Sequence, residues 1–191
     1  RLCALWSAML AYFMSRLQAN LSHGDFLPSV SGWTQNGYGT GRASVLRHGR
    51  RKKMKHELQN KIRLFKKYLD KLLPYMALSD EVLLDERNAE KLHTAERLFQ
   101  LLVDEAIDIN TLLIEQKTDA TPDTYRGTFQ ELPSLGVLDR VFANKLSDSV
   151  RVRNHIVHEY EDLKLSELIG YIKQYSEMYK DYLKAIITQT L

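Results

Sequence analysis

From Met54 to Leu191 the apolar residues recur in steps of three and four, and no stretch alternates with period two for long enough to form a strand. Such a chain can bury its apolar stripes only by laying helices against one another. The expected fold class is therefore all-α, an up-and-down bundle of about five helices. Ile62, Phe65, Leu69, Leu72 and Leu73 predict a first helix over about 55–77, ending near Pro74. Asp85 is placed to cap a long second helix, whose Leu92, Ala95, Phe99, Leu102, Ala106, Ile109 and Leu113 carry the stripe to about residue 117. Thr118 to Asp123, with Pro122, reads as a loop, and a short helix over about 123–131 ends before Pro133. Val137 to about Tyr160 predicts a fourth helix. Ser166 is placed to cap a fifth, with Ile169, Ile172, Tyr175, Tyr179, Tyr182 and Ile186 as its stripe. Tyr171, Tyr175, Tyr179 and Tyr182 line one side of that helix, where packing in the core or against a second copy is the first expectation and base stacking the lesser one.

Charge divides the chain at Met54. Residues 1–53 hold eight Lys and Arg against one acidic residue, a net of +7, whereas 54–191 hold 19 against 23, a net of −4. The first piece also contains six of the nine glycines, both tryptophans and the single cysteine, Cys3. One cysteine excludes a disulfide framework and a multi-thiolate zinc site. A 44% hydrophobic and 27% charged composition suits one globular domain with an appendage. The expected organisation is an N-terminal extension over 1–53 and a helical domain over 54–191.

Within the extension, Leu2 to Met14 is apolar except for Ser7. Thirteen residues are too few to span a bilayer and match a signal-peptide core or a short buried helix. No small-residue cleavage site follows in Ser15 to His23, so a cytoplasmic location without membrane attachment is expected. Gly37, Gly39 and Gly41 lack the preceding strand and following helix of a phosphate loop and read as a flexible linker. Gly49 to Met54 is either a basic nucleic-acid patch or a purine-rich ribosome-binding stretch read through in frame. The second alternative is the expected one: it makes 1–53 upstream or vector-derived, flexible and without a fold or function of its own, with Met54 as the natural start.

The chemistry is concentrated in Arg151-Val152-Arg153-Asn154-His155-Ile156-Val157-His158-Glu159-Tyr160. On an ideal helix Arg153, Asn154 and His158 span an arc of about 140°. One groove can hold all three, while Ile156 and Val157 anchor the helix. A guanidinium forks onto phosphate oxygens, and an imidazole moves protons near neutrality. RNA supplies its own nucleophile in the 2′-hydroxyl, so base, acid and phosphate clamp suffice to cleave it without a metal. A second acid is missing from the helical register, which suggests that two copies of the motif meet across a dimer axis.

Two other readings of these residues stand beside that one. His155 and His158 are about 60° apart on a helix and could share a zinc ion, but the order matches neither His-Glu-x-x-His nor its inverse, and no third ligand stands at motif spacing. In a wholly structural reading, Arg153 and His158 pair with carboxylates such as Glu159, Glu161 or Asp162.

The run Arg153 to Tyr160 resembles the Arg-x4-His-x-Tyr signature of the HepT-like branch of the HEPN superfamily, the toxin half of HepT/MntA toxin–antitoxin modules. The resemblance covers 54–191, including Thr124 to Phe129 and the Leu135-Gly136-Val137-Leu138 turn, and has no counterpart for 1–53. It implies a small HEPN helical bundle forming a symmetric dimer, with both motifs facing one cleft, and a metal-independent endoribonuclease that needs no cofactor and arrests growth. By the same resemblance Arg153 binds the scissile phosphate, His158 does acid/base work and Asn154 supports the cleft. Tyr160 matches the tyrosine that a cognate MntA-like nucleotidyltransferase antitoxin modifies with AMP. The implied partners are an RNA substrate, that antitoxin and a second copy of the chain. A net of −4 over 54–191 opposes binding a polyanion, yet Arg126, Arg140, Lys145, Arg151 and Arg153 outnumber Glu131, Asp139 and Asp148 over 126–153, a local +2 that a dimer doubles. The alternative is a non-catalytic HEPN bundle that binds nucleotide or substrate for a nucleotidyltransferase. The intact Arg–His pair favours the nuclease.

Overall fold

The computed structural model describes residues 40–118, 122–158 and 164–190, with side chains described over 53–118, 122–157 and 164–189. The expectations for Leu2 to Met14, for Gly37 and Gly39, and for Glu159 to Asp162 lie outside the described residues, as does the side chain of His158. The helices are α1 (Thr40–Met76), α2 (Asp80–Leu84), α3 (Ala89–Lys117), α4 (Tyr125–Gln130), α5 (Arg140–Ser147), α6 (Ser149–His158) and α7 (Leu165–Thr190). A 3₁₀ turn over Glu86–Asn88 precedes α3, and no strand occurs among the described residues. The all-α expectation holds.

Four boundaries differ from the sequence reading. Helix α1 begins at Thr40 rather than near 55, so it takes in Gly41, expected in a linker, and passes through Met54 without a break. Asp85 caps the 3₁₀ turn, accepting from the Arg87 amide at 3.0 Å, and α3 starts four residues later. The expected fourth helix is two helices, α5 and α6, divided at Asp148. Ser147 Oγ donates to Asn144 O at 2.6 Å and Ser149 Oγ to Leu146 O at 2.7 Å, so the hydroxyls on either side of the break bond back to the preceding turn. Helix α7 begins at Leu165, which puts Ser166 in the first turn instead of at the cap. With α2 added and the motif helix separate, the bundle has seven α-helices among its described residues rather than about five.

The core forms where the stripes meet. Helix α1 packs along α3 and against α7, α3 also touches α6, and α6 touches α7. Leu58, Phe65, Leu69 and Leu72 of α1 are buried against Leu92, Phe99, Leu102 and Ile109 of α3 and Ile169, Ile172 and Ile186 of α7. At the centre, Phe65 lies 5.5 Å from Tyr179 and 5.3 Å from Tyr182 between ring centroids, and Tyr179 meets Tyr182 nearly edge-on at 5.8 Å. The tyrosine stripe therefore divides by exposure: Tyr179 and Tyr182 are fully buried, Tyr175 is 6% exposed, and Tyr171 is 40% exposed.

Each fully buried phenol has a polar partner, as burial requires. Tyr182 Oη donates to Asn110 Oδ1 at 2.7 Å, while Asn110 Nδ2 reaches Thr128 Oγ1 of α4 at 3.4 Å. Ser149 Oγ spends its one proton on Leu146 O, so the 2.7 Å contact between Tyr179 Oη and Ser149 Oγ is donated by the tyrosine. Burial pushes both phenols well above their ordinary pKa. They stay neutral donors at any working pH.

Replacing Tyr182 by Phe strands the buried Asn110 carbonyl without enlarging a cavity. Tyr182→Phe is expected to cost about 1–3 kcal/mol, read as a lower urea midpoint with an unchanged m-value.

Candidate active site

Helix α6 presents three faces. Val152 and Ile156 enter the core at 9% and 1% exposure, Arg151 and Asn154 are exposed, and Arg153, His155 and Val157 lie half-buried between them. Ser149, held by Tyr179, fixes the first turn. His158 is the last helical residue, one turn beyond Asn154 and two beyond Arg151 in backbone register. The structure thus brings Arg153 and Asn154 together and places His158 on the same helix, whereas Tyr160 lies outside the described residues.

Arg153 is held from two sides. Its Nε donates to Asp104 Oδ1 of α3 at 2.9 Å and its Nη1 to Asn154 Oδ1 at 3.1 Å. Those bonds use two of the five guanidinium N–H groups and lock the plane of the fork. Asn154 consequently acts on its neighbour Arg153. Among the described residues Arg153 pairs with Asp104, 49 residues away, while the carboxylates of Glu159, Glu161 and Asp162 lie outside the described residues.

The sequence reading missed Asp104, although a signal was present. Asp104, Glu105 and Asp108 stand in a stretch of α3 that has no Lys or Arg from residue 98 to 116. No cation one turn away can serve them, so their partners must come from other helices. Lys61 of α1 takes two of them, with Nζ 2.6 Å from Asp108 Oδ2 and 3.2 Å from Glu105 Oε2. Burial still pushes the Glu105 carboxyl above its ordinary range despite the attraction of Lys61. Arg153 takes the third.

Two clefts flank Asn154. One, of about 530 Å³, is lined by Asp148, Arg151, Asn154, His155, Tyr171 and Tyr175. The other, of about 510 Å³, is lined by Asp123, Thr124, Tyr125, Arg126, Val150, Arg151 and Asn154. Arg126 Nη2 donates to Asp148 Oδ1 at 2.6 Å on this side of the molecule. Burial, and after it the charge of Asp148, raise the Tyr175 phenol. The local charge of +2 over 126–153, which already counts Asp148, is lowered in space by Asp104, which comes from outside that segment and covers Arg153, while Asp148 covers Arg126. Arg151 makes no ion pair with a described residue and is the cation common to both clefts.

An all-helical bundle with Arg153 and His158 on a short helix beside a cleft is the arrangement that the resemblance to the HEPN superfamily implies. The family model described as "Ribonuclease HepT-like" matches residues 65–186, and the chain belongs to the HepT-like family. It is 28% identical over 129 residues to the tRNA nuclease HepT of Aphanizomenon flos-aquae (strain 2012/KM1/D3), covering 68% of this chain and 86% of that protein. Among solved structures, the chain superposes on the tri-AMPylated Shewanella oneidensis HEPN toxin in complex with MNT antitoxin with a TM-score of 0.61 at 19% identity, over 69% of this chain and 96% of that one. A toxin–antitoxin crystal structure with AMP-PNP gives a TM-score of 0.60 at 18% identity, over 69% and 97% of the two chains. At these identities the structural likeness establishes the fold.

The Asp104–Arg153 pair is partly exposed, so its worth lies in orientation more than in stability. Asp104→Asn is expected to cost less than about 1 kcal/mol and to lower Tm by no more than about 4 °C in a scanning calorimeter.

Proposed function

We propose that this protein is the ribonuclease toxin of a toxin–antitoxin pair and cleaves RNA without a metal ion. The observation that carries the reading is the Arg153 guanidinium, immobilised by Asp104 and Asn154 five residues before His158 on a helix flanked by open clefts. In this mechanism Arg153 holds a non-bridging oxygen of the scissile phosphate with its remaining N–H groups. His158 takes the proton of the 2′-hydroxyl as the 2′-oxygen attacks phosphorus, and the bond from phosphorus to the 5′-oxygen breaks. The leaving 5′-oxygen receives a proton from His158 of the partner subunit, in a symmetric dimer whose motifs share one cleft. The products are a 2′,3′-cyclic phosphate and a free 5′-hydroxyl. Asn154 is a positioning residue for Arg153.

The antitoxin in this reading is a minimal nucleotidyltransferase of the MntA type. The Tyr160 hydroxyl attacks the α-phosphorus of ATP on that enzyme, losing its proton and expelling pyrophosphate, and leaves AMP on the tyrosine. The added phosphate brings negative charge and bulk two residues beyond His158, where it competes with RNA for Arg153. The tri-AMPylated state of the Shewanella toxin supports this mode of neutralisation. No helix among the described residues is long and apolar enough to cross a membrane.

Arg153→Ala and His158→Ala are each expected to reduce RNA cleavage by on the order of 10²- to 10⁴-fold, to abolish growth arrest, and to leave the helical circular-dichroism spectrum unchanged. Wild-type cleavage should persist in EDTA and yield cyclic-phosphate ends. Full activity of His158→Ala, or a requirement for divalent metal, rejects the mechanism, and a protein that binds nucleotide without cutting RNA is the non-catalytic partner instead.

Tyr160→Phe should escape neutralisation when co-expressed with the nucleotidyltransferase. Peptide mass spectrometry of the wild-type co-expression should find the adenylate on Tyr160, and adducts confined to other tyrosines contradict the assignment.

A further inference from the structure

Helix α6 separates two clefts that share Arg151 and Asn154 in their walls. Each cleft also has one exposed aromatic residue, Tyr171 of α7 at 40% exposure on one side and Tyr125 of α4 at 59% on the other. Tyr175, Tyr179 and Tyr182 of α7 are buried in the core, whereas Tyr171 and Tyr125 keep a large part of their rings at the surface. Tyr125 starts α4 directly after its Thr124 cap, whose Oγ1 accepts from the Gly127 amide at 3.0 Å, and its carbonyl accepts from Thr128 Oγ1 at 2.7 Å. These two bonds cap the first turn of α4 beneath the ring. Tyr171 rides on the long helix one turn before Tyr175, which is itself buried.

Arg151 is the charged element between them. It is exposed, is common to both clefts, and makes no ion pair with a described residue, whereas Arg126 and Arg153 are each covered by an aspartate. Seven residues separate it from His158, so in backbone register it stands two turns earlier on nearly the same face, offset by about 20°. A π-face, an uncovered guanidinium and a second π-face in sequence are the elements by which proteins hold a single strand, the rings taking bases and the cation the phosphate between them. A protein interface fits less well, because the centre of such interfaces is depleted of charge and these clefts hold Arg151 and the Arg126–Asp148 pair.

We propose that Tyr125 and Tyr171 are base-stacking platforms for single-stranded RNA laid across α6, with Arg151 binding the intervening backbone phosphate next to the cleavage motif. The proposal rests on the ribonuclease reading and assigns the substrate subsites on either side of it. Double-stranded RNA, whose bases are already stacked, is excluded from these platforms.

The test uses the full-length His158→Ala protein, which leaves the probe uncut, and a short single-stranded RNA carrying 2-aminopurine. Binding is read by anisotropy, and stacking by quenching of the 2-aminopurine emission. Adding Tyr171→Ala or Tyr125→Ala should each weaken binding by about 5- to 100-fold and remove part of the quenching, while the corresponding Phe variants keep both. Adding Arg151→Ala should lower the slope of log K against log salt by about 0.7, one phosphate contact on a single strand. Binding and quenching unaffected by either alanine variant overturn the proposal, as does a loss of affinity that follows loss of the dimer in sedimentation velocity, which would make this face a contact between copies. If the His158→Ala protein binds no RNA and the wild type cuts none, the ribonuclease reading itself fails, an outcome distinct from retained binding that ignores the tyrosines.

Discussion

The hydrogen bond from Tyr179 to Ser149 ties the motif helix α6 to the core at its first turn. Helix α6 is only ten residues long, below the length at which a helix is stable by itself in water. Its order comes from Val152 and Ile156 entering the core and from Ser149 being seized at its first turn by a phenol that is fully buried against Phe65 and Tyr182. The aromatic cluster thus acts twice, as the centre of the bundle and as the anchor of the site. Asn110 extends the same polar thread from Tyr182 to Thr128 on α4, whose first residue, Tyr125, faces the second cleft.

A second constraint acts on charge. In the proposed role, Arg153 must be held in place and still have N–H groups left for a ligand. Bonding to a single carboxylate oxygen through Nε does this, since it fixes the plane of the fork and leaves N–H groups of the guanidinium for a ligand. The ion pair also lowers the positive potential at Arg153, and the same is true of Arg126 beside Asp148. Attraction for a polyanion is shifted to Arg151. On the proposed function, this division of labour between a fixed arginine and an uncovered one lets a domain of net −4 hold a polyanion.

The break at Asp148 is what makes the motif helix a separate element. A single helix from 137 to 160 would have carried Arg126's partner and the motif on one rigid rod. Instead Ser147 and Ser149 return their hydroxyls to the backbone behind them, and Asp148 sits at the junction, where it meets Arg126 of α4. The two clefts open on either side of the helix that starts there.

The linear pattern of residues by itself determined the fold class, the extents of α3 and α4 to within a few residues, the core stripes of α1, α3 and α7, and the candidate Arg153, Asn154 and His158 on one helix. These are local properties, since helical periodicity and a motif five or six residues long are complete within a turn or two of chain. Tertiary structure decided the rest. That Asp104 is the partner of Arg153, that Tyr179 and Tyr182 are core residues whereas Tyr171 is left at a cleft, and that Arg151 rather than Arg126 is uncovered all depend on which helices meet. A carboxylate 49 residues from its arginine carries no mark in the sequence beyond the want of a local cation. The break at Asp148 was illegible for a related reason: apolar residues keep helical spacing straight through it, and the serine hydroxyls that accompany it are seen only once the backbone is folded. Periodicity says which face of a helix is buried, but only packing says against what, and the chemistry of a site is set by the second.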